Sequence, residues 1–395
     1  MPHHVPTQTH WARIFLLWCC GLTASMQFAK VAVVFKDFLT AYAVTPAELG
    51  WCLSIVGMVG LIFGVAAGLF AHALGFRRLL LVGLGLGAVL SILQTFMLPY
   101  PLFFMTRMLE GLSHLIIIVI APILITACSA PQHRSITMGL WSTFFGAGFV
   151  VASIFAPVLV HQFGVHGVLV VHACLISAMW LAVFVTLHAD ETEEAAAHLP
   201  KLSVLLRQHK EVYSHLNTMM PGLCFMCYTA TSVSLMTFIP QFAGEDSLWL
   251  APLLPLMSML GTFSAGWLAQ SWFTPIRLST WAFTLVALTG AVFWLCLVLG
   301  VRVAPAALVL MFLGGVSGGS AFALIPYLSH ARQFQVRANG ALAQLANMGS
   351  TIGPPIFASV ITALNIHGLM LPLIVFALIG IFISISAGRT LHHHV

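Results

Sequence analysis

Leu102-Phe-Phe-Met-Thr-Arg107-Met-Leu-Glu110-Gly-Leu-Ser-His114-Leu-Ile-Ile-Ile-Val-Ile-Ala-Pro122-Ile-Leu-Ile-Thr-Ala127 is an apolar run interrupted by two charges, Arg107 and Glu110. In an α-helix this run is about 39 Å long, against roughly 30 Å for the hydrocarbon layer of a bilayer. A barrel strand crosses in about ten residues, so a run of this length reads as a transmembrane helix. Eleven further runs of the same kind lie on either side: 12–36, 47–70, 78–98, 138–161, 166–188, 214–240, 249–271, 278–299, 304–329, 340–363 and 369–388. The first is too long to be a removed signal peptide and carries no small-residue cleavage site, so it is expected to remain as span one.

Composition agrees with twelve spans. Of 395 residues, 60% are hydrophobic and 6% charged, where a soluble domain carries about a quarter charged residues; mean hydropathy is +1.02. A water-soluble fold is excluded. The net charge of +5 comes from scattered single basic residues, so no nucleic-acid partner is expected. The eight cysteines lie almost all in apolar runs and read as packing residues. The basic residues also orient the chain, because those in short loops favour the cytoplasmic side. With the N-terminus inside, that side receives Arg13, Arg77, Arg78, Arg134, Lys201, Arg207, Lys210, Arg277, Arg332, Arg337 and Arg389. Both termini are therefore expected in the cytoplasm of a multi-pass inner-membrane protein.

The longest polar stretch falls between spans six and seven and divides the chain into an N-terminal six-helix bundle at 1–188, a cytoplasmic central loop at 189–213 and a C-terminal bundle at 214–395. A repeat near 200 residues accompanies that division. Gly68, Ala71 and Arg77 correspond to Gly266, Ala269 and Arg277, Pro122 to Pro326, and Ile154-Phe-Ala156 to Ile356-Phe-Ala358.

Between spans two and three, Gly68-Leu-Phe-Ala-His72-Ala-Leu-Gly75-Phe-Arg77-Arg78 resembles the major facilitator superfamily signature Gly-x-x-x-Asp-x-x-Gly-Arg-Arg. His72 replaces the usual Asp and Phe76 precedes the arginines, so the charged latch of that loop cannot form in its usual way. In span four, Arg107-Met-Leu-Glu110-Gly111 resembles the family's Arg-x-x-Gln-Gly pattern. Met138-Gly-Leu-Trp-Ser142 and the Tyr228 to Pro240 stretch look like the cyanate and nitroimidazole permease group. The resemblance implies an all-α membrane protein of twelve transmembrane helices in two pseudo-symmetric halves, with spans one, four, seven and ten lining a central cavity. Drug antiporters of the family usually carry Gly-Pro in span five. Here Gly146, Gly148 and an isolated Pro157 occupy that span, which disfavours drug export.

An ionised group in the hydrocarbon costs at least about 2.5 kcal/mol and marks a protein interior or a watery cavity. Three such groups fall within spans: Lys30, Arg107 and Glu110. By helical rise Lys30 and Arg107 lie at a common depth, and two cations against one acid favour an anionic small molecule. Arg107, Glu110 and His114, at i, i+3 and i+7, share one helix face. Glu110 is the expected proton carrier with His114 beside it; the alternatives are that Arg107 and Glu110 neutralise one another as a structural pair, and that His114 is a satisfied core histidine. Gln27, Trp141, Tyr228, Gln344 and Asn347 are candidate substrate contacts, and Gly68, His72, Gly75, Arg77 and Arg78 a candidate cytoplasmic gate.

Other features read as bland. Cys224-Phe-Met-Cys227 sits in an apolar span and reads as packing. Gly314, Gly315, Gly318 and Gly319 suggest close helix approach or a bending gate. The histidines at 3–4 and 392–394, and His161, His166 and His367, suggest no metal site strong enough to predict. No phosphate-cradling loop, nucleophile constellation or cofactor motif appears. The expectation is a gradient-driven transporter, not an enzyme, working as a monomer without cofactor or metal and importing a small organic anion with protons. The alternatives are a proton-driven exporter of a metabolite, drug or metal chelator, and a non-transporting membrane receptor.

Overall fold

The computed structural model describes residues 8–187, 210, 213–328 and 332–392, and gives only the backbone of 65–74, 135, 332, 333, 336 and 389–392. The central loop expected at 189–213 therefore lies outside the described residues except for Lys210 and Tyr213, as do the side chain of His72 and the terminal histidines 3, 4, 393 and 394.

Thirteen α-helices and no strand occur among the described residues. In chain order they are α1 (Trp11–Ala32), α2 (Phe35–Tyr42), α3 (Pro46–Leu74), α4 (Phe76–Thr95), α5 (Tyr100–Ala127), α6 (Arg134–Ser142), α7 (Phe144–Thr186), α8 (Leu216–Phe242), α9 (Ser247–Ser271), α10 (Pro275–Leu299), α11 (Ala304–Leu328), α12 (Arg332–Leu364) and α13 (Ile366–His392). Ten of these are long and apolar enough to cross a membrane. One of the ten, α7, has 43 residues, about 65 Å of helix and twice a bilayer crossing. It breaks at Gly164, whose φ of 65° and ψ of −170° are open only to glycine. That break separates spans five and six. The twelfth crossing, α12, has 33 residues; Asn339, Gln344 and Asn347 lower its hydropathy without shortening it.

Two local boundaries depart from the sequence reading. Span one, expected to run to 36, stops at Ala32, and α2 restarts at Phe35. The break lets α2 lie over the start of α5, where Phe38 and Tyr42 stack on Phe103 with centroids 5.9 and 4.7 Å apart. Span five begins as the short α6 and is interrupted at Thr143, whose hydroxyl accepts from Trp18 Nε1 at 3.0 Å.

The chain forms two compact units, one of Met1–Tyr42 with Ala66–Leu202, the other of Ala43–Val65 with Ser203–Val395. In the first, α1 is central: Ile14, Leu17, Cys20 and Ala24 pack with Leu80 and Leu84 of α4, Ile117, Ile120 and Ile125 of α5, and Ile176 and Val183 of α7. In the second, small residues let backbones meet. A Cβ on Gly261 of α9 would strike the Phe312 carbonyl of α11, and one on Gly315 of α11 would strike the Ser258 carbonyl of α9. Thr262 Oγ1 donates to the Gly315 carbonyl at 3.2 Å across the same seam. Lipid tails are as apolar as leucine, so such close van der Waals packing and interhelical hydrogen bonds drive association here. Gly318 faces the Tyr228 ring and Gly319 the Thr262 backbone, while a Cβ on Gly314 meets nothing. Three of the four span-ten glycines are thus packing positions. Large apolar side chains such as Phe382, Leu248 and Leu299 stand exposed on the outside, as a hydrocarbon-facing surface requires.

Candidate functional site

The first unit contains a buried polar cluster built from four helices. Nine of its ten polar and charged groups recur at helical spacing: Gln27 and Lys30 are one turn apart on α1, Ser91 and Gln94 on α4, and Thr106, Arg107, Glu110, Ser113 and His114 on two turns of α5. Residues three or four apart share a helix face, so each helix brings its polar groups inward together. His172 comes from the second half of α7.

Glu110 is the hub and is completely buried. Its Oε1 accepts from Lys30 Nζ at 2.6 Å, with Ser91 Oγ 3.5 Å away. Its Oε2 accepts from Arg107 at 2.5 Å and from Gln94 Nε2 at 3.1 Å. Ser91 has a single O–H, which the shorter contact to His172 takes, so the carboxylate keeps three donors: Lys30, Arg107 and Gln94. Lys30 is saturated: its ammonium has three N–H groups, and they reach Glu110, Gln94 Oε1 at 2.6 Å and His172 Nδ1 at 3.3 Å. His172 Nδ1 is also 3.0 Å from Ser91 Oγ, and its Nε2 is 3.2 Å from the Thr23 carbonyl. A carbonyl only accepts, so the tautomer protonated at Nε2 satisfies both sides of the ring and leaves Nδ1 as an acceptor. The formal charge of Lys30, Arg107 and Glu110 together is +1.

The other predicted residues of this unit sit around the cluster. His114 does not bond Glu110; its Nδ1 is 3.0 Å from the Ala24 carbonyl and its ring meets Phe28 edge-on at 5.1 Å. Gln27 Nε2 donates to Ser113 Oγ at 3.1 Å, one turn from Glu110, while its Oε1 is buried without a hydrogen-bond partner. Trp141 stacks on Phe144 at 4.4 Å and covers Gly21.

In the second unit, Tyr228 shares a hydrogen bond of 3.0 Å with Ser258 and lies against Gly318. Gln344 accepts from the Tyr213 hydroxyl at 2.7 Å and donates to the Leu61 carbonyl. Asn347 donates to Ala343 of its own helix at 2.9 Å and fills the space over Gly60. Cys224 lies near Ser384 and is a free thiol, as is Cys227.

At the signature loop, Gly75 caps α4 with φ of 83°, a backbone that suits glycine. Gly68 and His72 lie in the helical backbone of α3. Arg77 donates to the carbonyls of Phe184 (3.1 Å) and Leu187 at the end of α7, where the helix leaves its last carbonyls open and the dipole favours a cation; Arg78 is exposed. Arg77→Ala should therefore loosen the last turn of span six by about 1 kcal/mol. Faster amide exchange at Leu187, which donates to Val183 at 3.1 Å, would report it, and unchanged exchange there would refute the capping role.

Sequence reasoning passed over His172, Ser91 and Gln94. A search for formally charged groups skips a lone histidine in an apolar run, and nothing local distinguishes hydroxyls and amides that bond a distant ion from those that bond their own helix. The one available signal was that His172 falls inside the apolar run of span six rather than in a loop.

The described residues thus form a helical membrane protein of two compact units, with a buried ion cluster inside the first. The chain belongs to the Major Facilitator Superfamily, whose family signature matches residues 17–354. Over 154 residues it is 24% identical to the inner membrane transport protein YajR of Escherichia coli (strain K12); the match covers 38% of this chain and 33% of YajR, so it spans about a third of that relative. Crystal structures of a bacterial homolog of the human lysosomal transporter Spinster, inward-facing and either unoccupied or occupied, superpose with TM-scores of 0.79 and 0.77 at 12% identity, each covering 98% of both chains. That likeness is one of fold.

Proposed function

We propose that this transporter couples the uptake of a small organic anion to protons, with the N-terminus in the cytoplasm. Glu110 carries the proton, Lys30 and Arg107 hold the anion, and His114 lies beside the pathway. The observation that supports this is the shared carboxylate: both cations bond one acid. A proton on Glu110 weakens its hold on Lys30 and Arg107, frees an N–H of one of them, and raises the cluster's charge from +1 to +2. An uncompensated buried charge is costly, so an anion that takes the released N–H restores the balance. Proton and anion thus enter together. Gln27, Trp141, Tyr228, Gln344 and Asn347 are proposed as orienting contacts, which their present hydrogen bonds and ring stacking hold in place, and the Gly68 to Arg78 loop as a cytoplasmic gate.

The test is uptake of labelled succinate, malonate and lactate into proteoliposomes under an imposed pH gradient. Proton-driven accumulation of at least one anion is expected in wild type, with Glu110→Gln abolishing accumulation while leaving anion exchange. Anion flux without proton movement in wild type would remove Glu110 from the coupling role.

A further inference from the structure

Among the polar groups of the cluster, His172 is the one whose arrangement goes beyond balancing charge. Lys30 spends its three N–H groups on Glu110, Gln94 and His172, and only Glu110 changes charge in the proposed cycle. His172 in turn is fixed from the other side by the Thr23 carbonyl and by Ser91. The titratable or charged groups facing it are Lys30 of α1 and Glu110 and Arg107 of α5; from α4 it meets only the Ser91 hydroxyl. We propose that His172 is a positioning residue that, with Gln94, holds the Lys30 ammonium in place so that a single N–H of Lys30 exchanges between Glu110 and the substrate anion.

This rests on Glu110 as the proton carrier in one respect: the exchange requires Glu110 to become neutral. The holding itself does not. With Glu110 ionised, the carboxylate is the dominant partner of Lys30, and losing the His172 contact costs little. With Glu110 neutral, His172 and Gln94 are the remaining strong acceptors, and a hydrogen bond to a charged group is worth more than one between neutral groups. The two contributions are therefore non-additive.

The deciding experiment is a double-mutant cycle on the full chain in lipid nanodiscs, read as apparent Tm, with Glu110→Gln standing for the protonated acid. His172→Leu is expected to lower Tm by about 2 °C or more beyond its wild-type effect when made in the Glu110→Gln background. His172→Asn should recover most of that loss, because its Oδ1 takes the place of Nδ1. Should His172→Leu yield no folded protein, His172→Gln carries the same comparison, since its amide sits at the Nε2 end of the ring. Additive effects, or no recovery by His172→Asn, would overturn the proposal. In proteoliposomes, proton-driven uptake of whichever probe anion wild type accumulates should fall about tenfold or more in His172→Leu and return to within about threefold in His172→Asn. If wild type moves anions without protons, the coupling proposal fails while the Tm cycle still decides whether His172 holds Lys30.

Discussion

Glu110→Ala should destabilise the protein by about 3–5 kcal/mol, the range measured when one partner of a buried ion pair is removed. Lys30 and Arg107, 2% and 0% exposed, would be left as two like charges with their common counter-ion gone. Neither has water to turn to, and their separation is set by helices that pack against the same core. Glu110→Gln should cost less, because its carbonyl oxygen still accepts one donor. Glu110→Ala with Lys30→Met should recover part of the loss, since only one unpaired cation then remains. Thermal unfolding in detergent or nanodiscs would measure all three; an apparent Tm for Glu110→Ala within a degree of wild type would mean that the carboxylate does not hold the cluster together.

The second large effect belongs to the seam between α9 and α11. Gly315→Leu would drive a side chain into the Ser258 backbone, which cannot move aside as a flexible side chain would. Overpacking of this kind costs about 1–3 kcal/mol and occasionally more; here the obstruction is main chain, and about 3 kcal/mol is expected. Gly314→Leu supplies the control on the same helix. Its Cβ meets nothing within 4 Å, and replacing a helical glycine gains up to about 1 kcal/mol of propensity. The two neighbouring substitutions should therefore shift Tm in opposite directions or leave Gly314→Leu neutral. Equal losses at both positions would show that span ten is intolerant of bulk as a whole, and that the close contact at Gly315 is not the cause.

The Cys224 and Cys227 pair illustrates a reading that spacing alone would misdirect. Redox spacing on an apolar helix places both thiols inside the second unit, where they are free and buried. The span-ten glycines show the complementary case. Their run in the sequence leaves packing and bending open together, and the faces separate only once α9 and α8 are seen beside Gly315 and Gly318.

What the chain determined by itself was length, direction of burial and local pairing. Runs of some twenty apolar residues cannot satisfy their backbone in lipid except as helices, so twelve crossings and the membrane class follow from hydropathy. The run bounds put the turn between spans five and six at 162–165, and the structure breaks α7 there at Gly164. Arg107 and Glu110 are three residues apart on one helix, so their pairing was one of the two readings open from spacing. The tertiary structure alone decided the rest. Lys30 meets Glu110 from 80 residues away and His172 from 142; those contacts depend on how α1, α4, α5 and α7 pack, and van der Waals packing between apolar helix faces leaves no periodic mark that names the partner. For the same reason His114, on the helix face of Arg107 and Glu110, bonds the Ala24 carbonyl: spacing along a helix sets the direction in which a side chain points, and the neighbouring helix sets what it finds there.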